Sequence, residues 1–306
     1  MKNCLSLLEY DSKEVEQILE TALRIKKSWS QGKRPPLLAG KVLALVFEKP
    51  SLRTRASFEA AMFQMGGSSI FLSASDGAIG KRESVADFAR TLSHFADAVV
   101  LRTFSHQTIV EFAEHATVPV INGLSELYHP CQALADILTI RENFGPKKGL
   151  QVVFVGDGNN VSRSLAIACA KAGHCFRLVG PKGYLFDKPF LDFFKKEFPD
   201  SSLEQTSDLK NSMTGADAIY ADVWTSMGQE KERAKRLKIF KPYQVNNTLM
   251  AKASSNCIFL HCLPAHRGEE VTEEVIDGPQ SRVFPQAGNR MHVQKALLLK
   301  MIGPRK

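Results

Sequence analysis

Between Val42 and Leu260, short β-branched apolar runs alternate with longer segments of helical period. That order leaves few folds open. Val42–Phe47, Ser69–Leu72, Ala98–Leu101 and Val118–Ile121 read as strands bounded by glycine, proline or charge, and Arg53–Met65, Glu83–Phe95 and His106–His115 read as the helices between them. Strand–helix–strand order is the signature of a parallel sheet covered by helices. After a helix at Pro130–Asn143 the pattern breaks at Gly145-Pro146-Lys147-Lys148-Gly149 and then restarts. The second stretch has strands at Gln151–Val155, Cys175–Val179, Ala218–Tyr220 and Ile258–Leu260. Its helices lie near Ser162–Ala172, Lys188–Glu197 and Gln229–Phe240, and an amphipathic helix near Gln286–Met301 closes the chain. The expected fold is α/β, with two doubly wound parallel-sheet domains over residues 1–144 and 145–286 and a terminal segment 287–306 packing back on the first. Ligands of such sheets bind beyond the carboxyl ends of the strands, so the active site is expected in the cleft between the domains.

Composition narrows the class further. With 306 residues, 44% hydrophobic and 24% charged, the chain is neither a disordered segment nor a disulfide-knotted miniprotein. No apolar run approaches the ~20 residues of a membrane helix. Glu9 and Asp11 interrupt the N-terminal apolar stretch too early for an export signal, so a cytoplasmic protein is expected. Cysteines 4, 131, 169, 175, 257 and 262 make no C-x-x-C pair and no zinc-finger spacing, so they read as reduced thiols, most of them in the core. The net charge of +8 fits either a broad anionic partner or a few arginines serving a small anionic substrate. The densest basic stretch, Lys231 to Lys241, begins among acids and has helical period, which reads as a solvated helix face and not as a nucleic-acid surface.

Five segments carry candidate chemistry. In Phe47–Glu59 a strand ends, Pro50 stops it, and Ser51 is placed to cap a helix whose free N–H groups suit a phosphate. Arg53, Thr54 and Arg55 add donors at the same turn; the plainer reading is a capped helix with two surface arginines. Pro130 fits the first position of a helix, which puts His129 at its mouth and Gln132 one turn inside, as ligand contacts or merely as a cap. Gly156-Asp-Gly158-Asn159-Asn160-Val161 stands where a dinucleotide fingerprint would lie, but Val161 occupies the third glycine position and no acid ends the next strand. A nicotinamide site is thereby disfavoured, and Asn160 remains as a polar group at a helix start.

Asp222 follows a strand and precedes Ser226-Met227-Gly228; it is either a partner for an ammonium group beside a mobile cover or a simple helix cap. His261-Cys262-Leu263-Pro264 ends another strand. His261 and Cys262 point apart on an extended chain, which suits a zinc site poorly but allows a thiol to exchange protons with a substrate. Arg290, near the start of the last helix, is either a substrate clamp or a surface charge.

Taken in order, these segments resemble the aspartate/ornithine carbamoyltransferase family over nearly the whole chain. Ser51-x-Arg53-Thr54-Arg55 and His129-Pro-x-Gln132 are similar to its carbamoyl-phosphate site, while Asp222…Ser226-Met227-Gly228 and His261-Cys-Leu-Pro264 resemble its ornithine branch. The resemblance implies that Ser51, Arg53 and Thr54 hold the phosphate and that Arg290 completes the anion site. It implies that Arg102, His129 and Gln132 bind and polarise the carbamoyl group, with Cys262 and Leu263 beside the reacting atoms. Asn160, Asp222, Ser226 and Met227 would hold ornithine. Arg102, His129 and Cys262 would be the catalytic groups.

The implied reaction moves the carbamoyl group of carbamoyl phosphate to the δ-amine of ornithine, giving citrulline and phosphate in arginine biosynthesis. Putrescine or an acylated ornithine is the alternative acceptor. The family pattern implies a homotrimer, no metal and no cofactor, since carbamoyl phosphate is already activated, and neither nucleic acid nor membrane as partner. Two positions depart from that pattern: Leu52 replaces the usual threonine of the phosphate turn, and Ala78 stands where relatives carry a glutamine reaching a neighbouring subunit.

Overall fold

The structure is a computed structural model and describes residues 2–76, 79–225 and 230–304. It divides into two compact units, Met1–Leu138 with Gly288–Lys306, and Thr139–Ala287. Both divisions fall inside helices, at 138/139 and 287/288, and not at the 145–149 break.

The first unit runs α1 (Ser12–Ser30), β1 (Val42–Phe47), α2 (Leu52–Gln64), β2 (Ser68–Ser73), α3 (Val85–Ser93), β3 (Ala98–Arg102), α4 (His106–His115), β4 (Val120–Leu124) and the start of α5 (Pro130–Phe144). Its sheet is parallel throughout, in the order β2-β1-β3-β4. β1 and β3 lie inside that order, which is why their side chains are an unbroken apolar run until Arg102. α1 starts at a capping box in which Asp11 and Glu14 satisfy each other's backbone N–H, and it buries Val15, Ile18, Leu19 and Ala22 at helical spacing. β4 begins two residues later than the expected Val118–Ile121 and ends three residues beyond it, at Leu124. The N-terminal segment supplies the reason, because Cys4 pairs alongside Ile121 and donates to the Val120 carbonyl.

A register shift separates Leu101↔Asn122 from Arg102↔Leu124, leaving Gly123 as an extra residue on β4. A Cβ at Gly123 would sit 3.0 Å from Val100 Cγ1 and 3.2 Å from the Leu101 carbonyl, so a side chain here would require its neighbours to give by a few tenths of an ångström. The bulge lies where β3 delivers Arg102.

The second unit contains β5 (Gln151–Val155), α6 (Asn160–Ala172), β6 (Cys175–Val179), α7 (Lys188–Glu197), β7 (Leu203–Thr206), β8 (Ala218–Ala221), α8 (Arg233–Phe240), α9 (Asn247–Met250), β9 (Ile258–His261), α10 (Glu273–Ile276) and the start of α11 (Val283–Ile302). Its parallel sheet has the order β7-β6-β5-β8-β9. The core gathers Val153, Val155, Ile219, Ala221 and Phe259 from the strands with Leu249, Met250, Val275 and Ile276 from the short helices. Gly180 follows β6 so closely against β5 that an added Cβ would fall 2.1 Å from the Gly156 carbonyl oxygen.

The basic stretch corrects one expectation. Lys231, Lys235, Lys238 and Lys241 are exposed, but Arg236 is buried on α8. Its guanidinium lies 4.8 Å from the Tyr184 ring centre and 5.1 Å from that of Phe240, and it donates to the Asp157 carboxylate and the Trp224 carbonyl. It anchors the chain just beyond β8. All six cysteines are free thiols, and four of them are buried. Among the described residues, no helix is long and apolar enough to cross a membrane.

Candidate active site

In the first sheet the strand order reverses between β1 and β3, whose ends meet at the pair Phe47↔Arg102. Open α/β sheets bind ligands at such a switch point. The chain leaving β1 turns through Pro50 into α2, where Ser51 is the N-cap and its hydroxyl accepts from the Thr54 N–H at 3.3 Å. Thr54 is fully buried, and its Oγ1 accepts from Arg290 Nη2 at 2.6 Å. The two arginines of the turn behave differently. Arg53 is half-buried and forms no hydrogen bond or ion pair among the described residues, whereas Arg55 is turned away to Glu59 at 2.9 Å and to the Phe71 ring at 3.8 Å. Arg55 is thus a surface residue of α2 and not a further donor at the turn. Leu52 is 80% exposed.

Arg102, His129, Gln132 and Arg290 are all buried in this unit. Burial pushes the His129 imidazole well below its usual range, and the Arg290 and Arg102 guanidiniums push it further, so His129 is neutral. Gln132 donates from Nε2 to the buried Asp136 carboxylate at 2.8 Å, and its Oε1 is buried without a partner among the described residues. The result is a carbonyl acceptor and a neutral imidazole beside two guanidiniums. Lys49, which the sequence reading passes over, belongs to the same ground: it is buried, and burial together with Arg102 holds its ammonium below the usual lysine value. Its place directly after a buried strand was the available signal.

In the second sheet the order reverses between β5 and β8, at the pair Val155↔Ala221. The residue immediately beyond β8 is Asp222, a buried carboxylate. Its Oδ2 accepts from Asn159 Nδ2 at 2.8 Å, and its Oδ1 accepts from the Val223 N–H at 2.8 Å and from Cys262 Sγ at 2.9 Å. Asn159 also caps α6, accepting from Val161 and Ser162. The sequence reading selects Asn160; the structure makes Asn160 the half-buried first residue of α6 and gives the contact with Asp222 to Asn159.

Cys262 is half-buried, and its thiol is the donor to Asp222. That contact requires the S–H form, and its partner is a carboxylate. His261 turns the other way: Nδ1 accepts from the Leu263 N–H at 2.8 Å, which places the proton on Nε2, 3.2 Å from Glu270 Oε1. Leu263 itself has φ +57, a left-handed conformation that non-glycine residues adopt rarely and that recurs at functional sites. Ser226, Met227 and Ala78 lie outside the described residues.

Buried arginines on one doubly wound sheet and an anchored carboxylate on another give a two-unit α/β protein with chemistry suited to one anionic and one cationic group. Residues 2–142 match the carbamoyl-P binding domain of aspartate/ornithine carbamoyltransferases, and residues 148–301 match their Asp/Orn binding domain. The chain belongs to the aspartate/ornithine carbamoyltransferase family. It is 50% identical over 299 residues to the ornithine carbamoyltransferase of Bacillus subtilis, covering 97% of this chain and 92% of that one. It is 48% identical over 305 residues to the anabolic ornithine carbamoyltransferase of Pyrococcus furiosus, covering 99% and 96%. A solved structure of ornithine carbamoyltransferase from Pyrococcus furiosus superposes with a TM-score of 0.96 at 48% identity over 100% of this chain and 98% of that one.

Proposed function

We propose that this protein is an ornithine carbamoyltransferase of arginine biosynthesis, transferring the carbamoyl group of carbamoyl phosphate to the δ-amine of L-ornithine. The observation that carries this reading is Asp222, a buried carboxylate held by Asn159 and Cys262 at the switch point of the second sheet, where it suits an ammonium group. The first unit serves the anionic substrate. Ser51, Arg53, Thr54 and Arg290 take the phosphate, at a helix start where free N–H groups already favour an anion. Arg102 and His129 donate to the carbamoyl oxygen, and Gln132 Oε1 accepts from the carbamoyl NH2.

The δ-amine resembles that of lysine, with a pKa of ~10.4, so presenting it neutral at pH 7 costs roughly 4–5 kcal/mol unless the site takes its proton. The Cys262–Asp222 hydrogen bond supports a role for this pair in receiving or relaying that proton, with Leu263 assigned to the wall of the reacting centre. Attack on the carbonyl builds an oxyanion that Arg102, His129 and Thr54 stabilise until phosphate departs. Asn160, Ser226 and Met227 complete the ornithine contacts. The mixed anhydride is already activated, so the chemistry calls for no cofactor. A homotrimer is proposed with this activity, and the exposed Leu52, Phe63 and Phe104 of the first unit support self-association. Six free thiols support a reducing, cytoplasmic compartment.

The test is transfer from labelled carbamoyl phosphate to a panel of ornithine, putrescine, N-acetylornithine and aspartate. Ornithine should give the highest kcat/KM by at least ~10-fold, a difference of about 1.4 kcal/mol. A higher value for any other amine would replace this reading.

A further inference from the structure

The turn after β9 holds a cluster that the carbamoyl-transfer chemistry does not use. Among the described residues, His266, Glu269 and Glu270 bring one imidazole nitrogen and two carboxylate oxygens within 4.8 Å of one another. Glu270 is wholly buried. Its Oε1 accepts from His261 Nε2 at 3.2 Å and from the His266 N–H at 2.6 Å, while its Oε2 has no hydrogen-bond partner. His266 Nδ1 is likewise buried and unpartnered; it stands 4.0 Å from Glu270 Oε2 and 3.6 Å from Glu269 Oε2. Both separations are too long for a hydrogen bond. An imidazole nitrogen and two carboxylate oxygens that converge without a hydrogen bond between them make a place that a cation would satisfy.

We propose that His266, Glu269 and Glu270 form a site for a divalent transition-metal cation of the Zn2+ or Co2+ type. Ligand atoms at ~2.0–2.1 Å from a tetrahedral zinc ion lie about 3.3 Å apart, so the partly exposed His266 and Glu269 would have to move in towards the buried Glu270, which is held by His261. One imidazole with two carboxylates is a borderline donor set, which selects such ions over calcium with its all-oxygen preference. The supporting groups are in place. Glu269 is held through its other oxygen by Arg233, and Glu270 through its other oxygen by His261. Arg267, the remaining nearby cation, is committed to Asp277 at 2.9 Å. The His266 side chain is 41% exposed although its Nδ1 is buried, so turning that side chain would open the cluster to an ion and to water. Because Glu270 also holds His261, and His261 holds the Leu263 N–H, a bound ion would brace the strand end that carries Cys262.

The experiment is competition between the full-length protein, stripped of metal, and a chromophoric chelator for Zn2+, together with the visible spectrum of the Co2+ form. The protein should take one zinc ion per chain at micromolar concentration. His266→Ala should weaken that binding by at least ~10-fold, and Glu269→Gln should weaken it as well. Both changes are at partly exposed side chains, and circular dichroism checks that the fold is kept. Cys262→Ser should leave the affinity unchanged, and the Co2+ spectrum should lack a thiolate charge-transfer band. The proposal is overturned if zinc is not bound at micromolar concentration or if His266→Ala binds it equally well. It is also overturned if binding disappears in Cys262→Ser, which would put the ion at the Asp222–Cys262 pair.

Discussion

Arg290 Nη2 and Thr54 Oγ1 are hydrogen-bonded at 2.6 Å although 236 positions separate them in the chain. This bond ties the terminal helix to the turn that begins α2 and joins two segments that the sequence keeps far apart, the proposed phosphate cradle. The hydroxyl is buried and the guanidinium nearly so. Neither group is a surface ornament.

Replacing Arg290 by glutamine removes the charge from that cradle. Inhibition by inorganic phosphate should weaken by at least ~10-fold, about 1.4 kcal/mol, while the KM for ornithine stays within about twofold. Steady-state inhibition at several ornithine concentrations measures both. Unchanged phosphate affinity would remove Arg290 from the anion site.

Arg236 should matter for stability. Arg236→Met leaves the Asp157 carboxylate, already raised by burial, without its buried cation, and leaves the Trp224 carbonyl without a donor. Stranding a buried charge costs ~3–5 kcal/mol. Asp157→Asn in the same chain should recover part of the loss, which a denaturant midpoint will read. Equal midpoints for Arg236→Met and wild type would show the arginine to be an exposed bystander.

How much of this was legible beforehand depended on distance along the chain. β1, β5 and β6 were readable to the residue because short β-branched runs end sharply at charge or glycine. β7 was not, since Leu203-Glu-Gln-Thr206 is a partly exposed edge strand with one apolar residue. α1 lies outside the strand–helix alternation that organises the reading, although its capping box is plain in the sequence. At the site, local chemistry was visible where one turn carries it, as at Ser51–Thr54. That Asn159 is the neighbour meeting Asp222, and that Arg55 turns to Glu59, depends on which way a helix start faces. Pairs such as Cys262–Asp222 and Arg290–Thr54 are set only by strand order and helix placement.

Acid should destabilise the protein earlier than carboxylate titration alone would. Burial lowers His174 and His292 to about 4, and it lowers His129 as well, where two arginines add to the effect. Above pH 6.5 native and unfolded chains alike leave these rings neutral, so they contribute nothing. Below it the unfolded chain binds protons that the native chain refuses. Each such histidine then removes about 1.4 kcal/mol per pH unit until its folded pKa is reached. The thermal midpoint should fall between pH 6.5 and 4.5, and His174→Gln with His292→Gln should flatten that fall. A midpoint constant over this window would show these histidines to be solvated.

The central claim is that the second unit binds ornithine through Asp222 while the first binds carbamoyl phosphate. Steady-state citrulline formation by Asp222→Asn tests it most directly, because the substitution keeps the shape and removes the charge. The KM for ornithine should rise by at least ~10-fold with that for carbamoyl phosphate within about twofold, as expected if one charge-assisted contact to the ammonium is lost. Equal losses for both substrates, or an unchanged ornithine KM, would contradict the account.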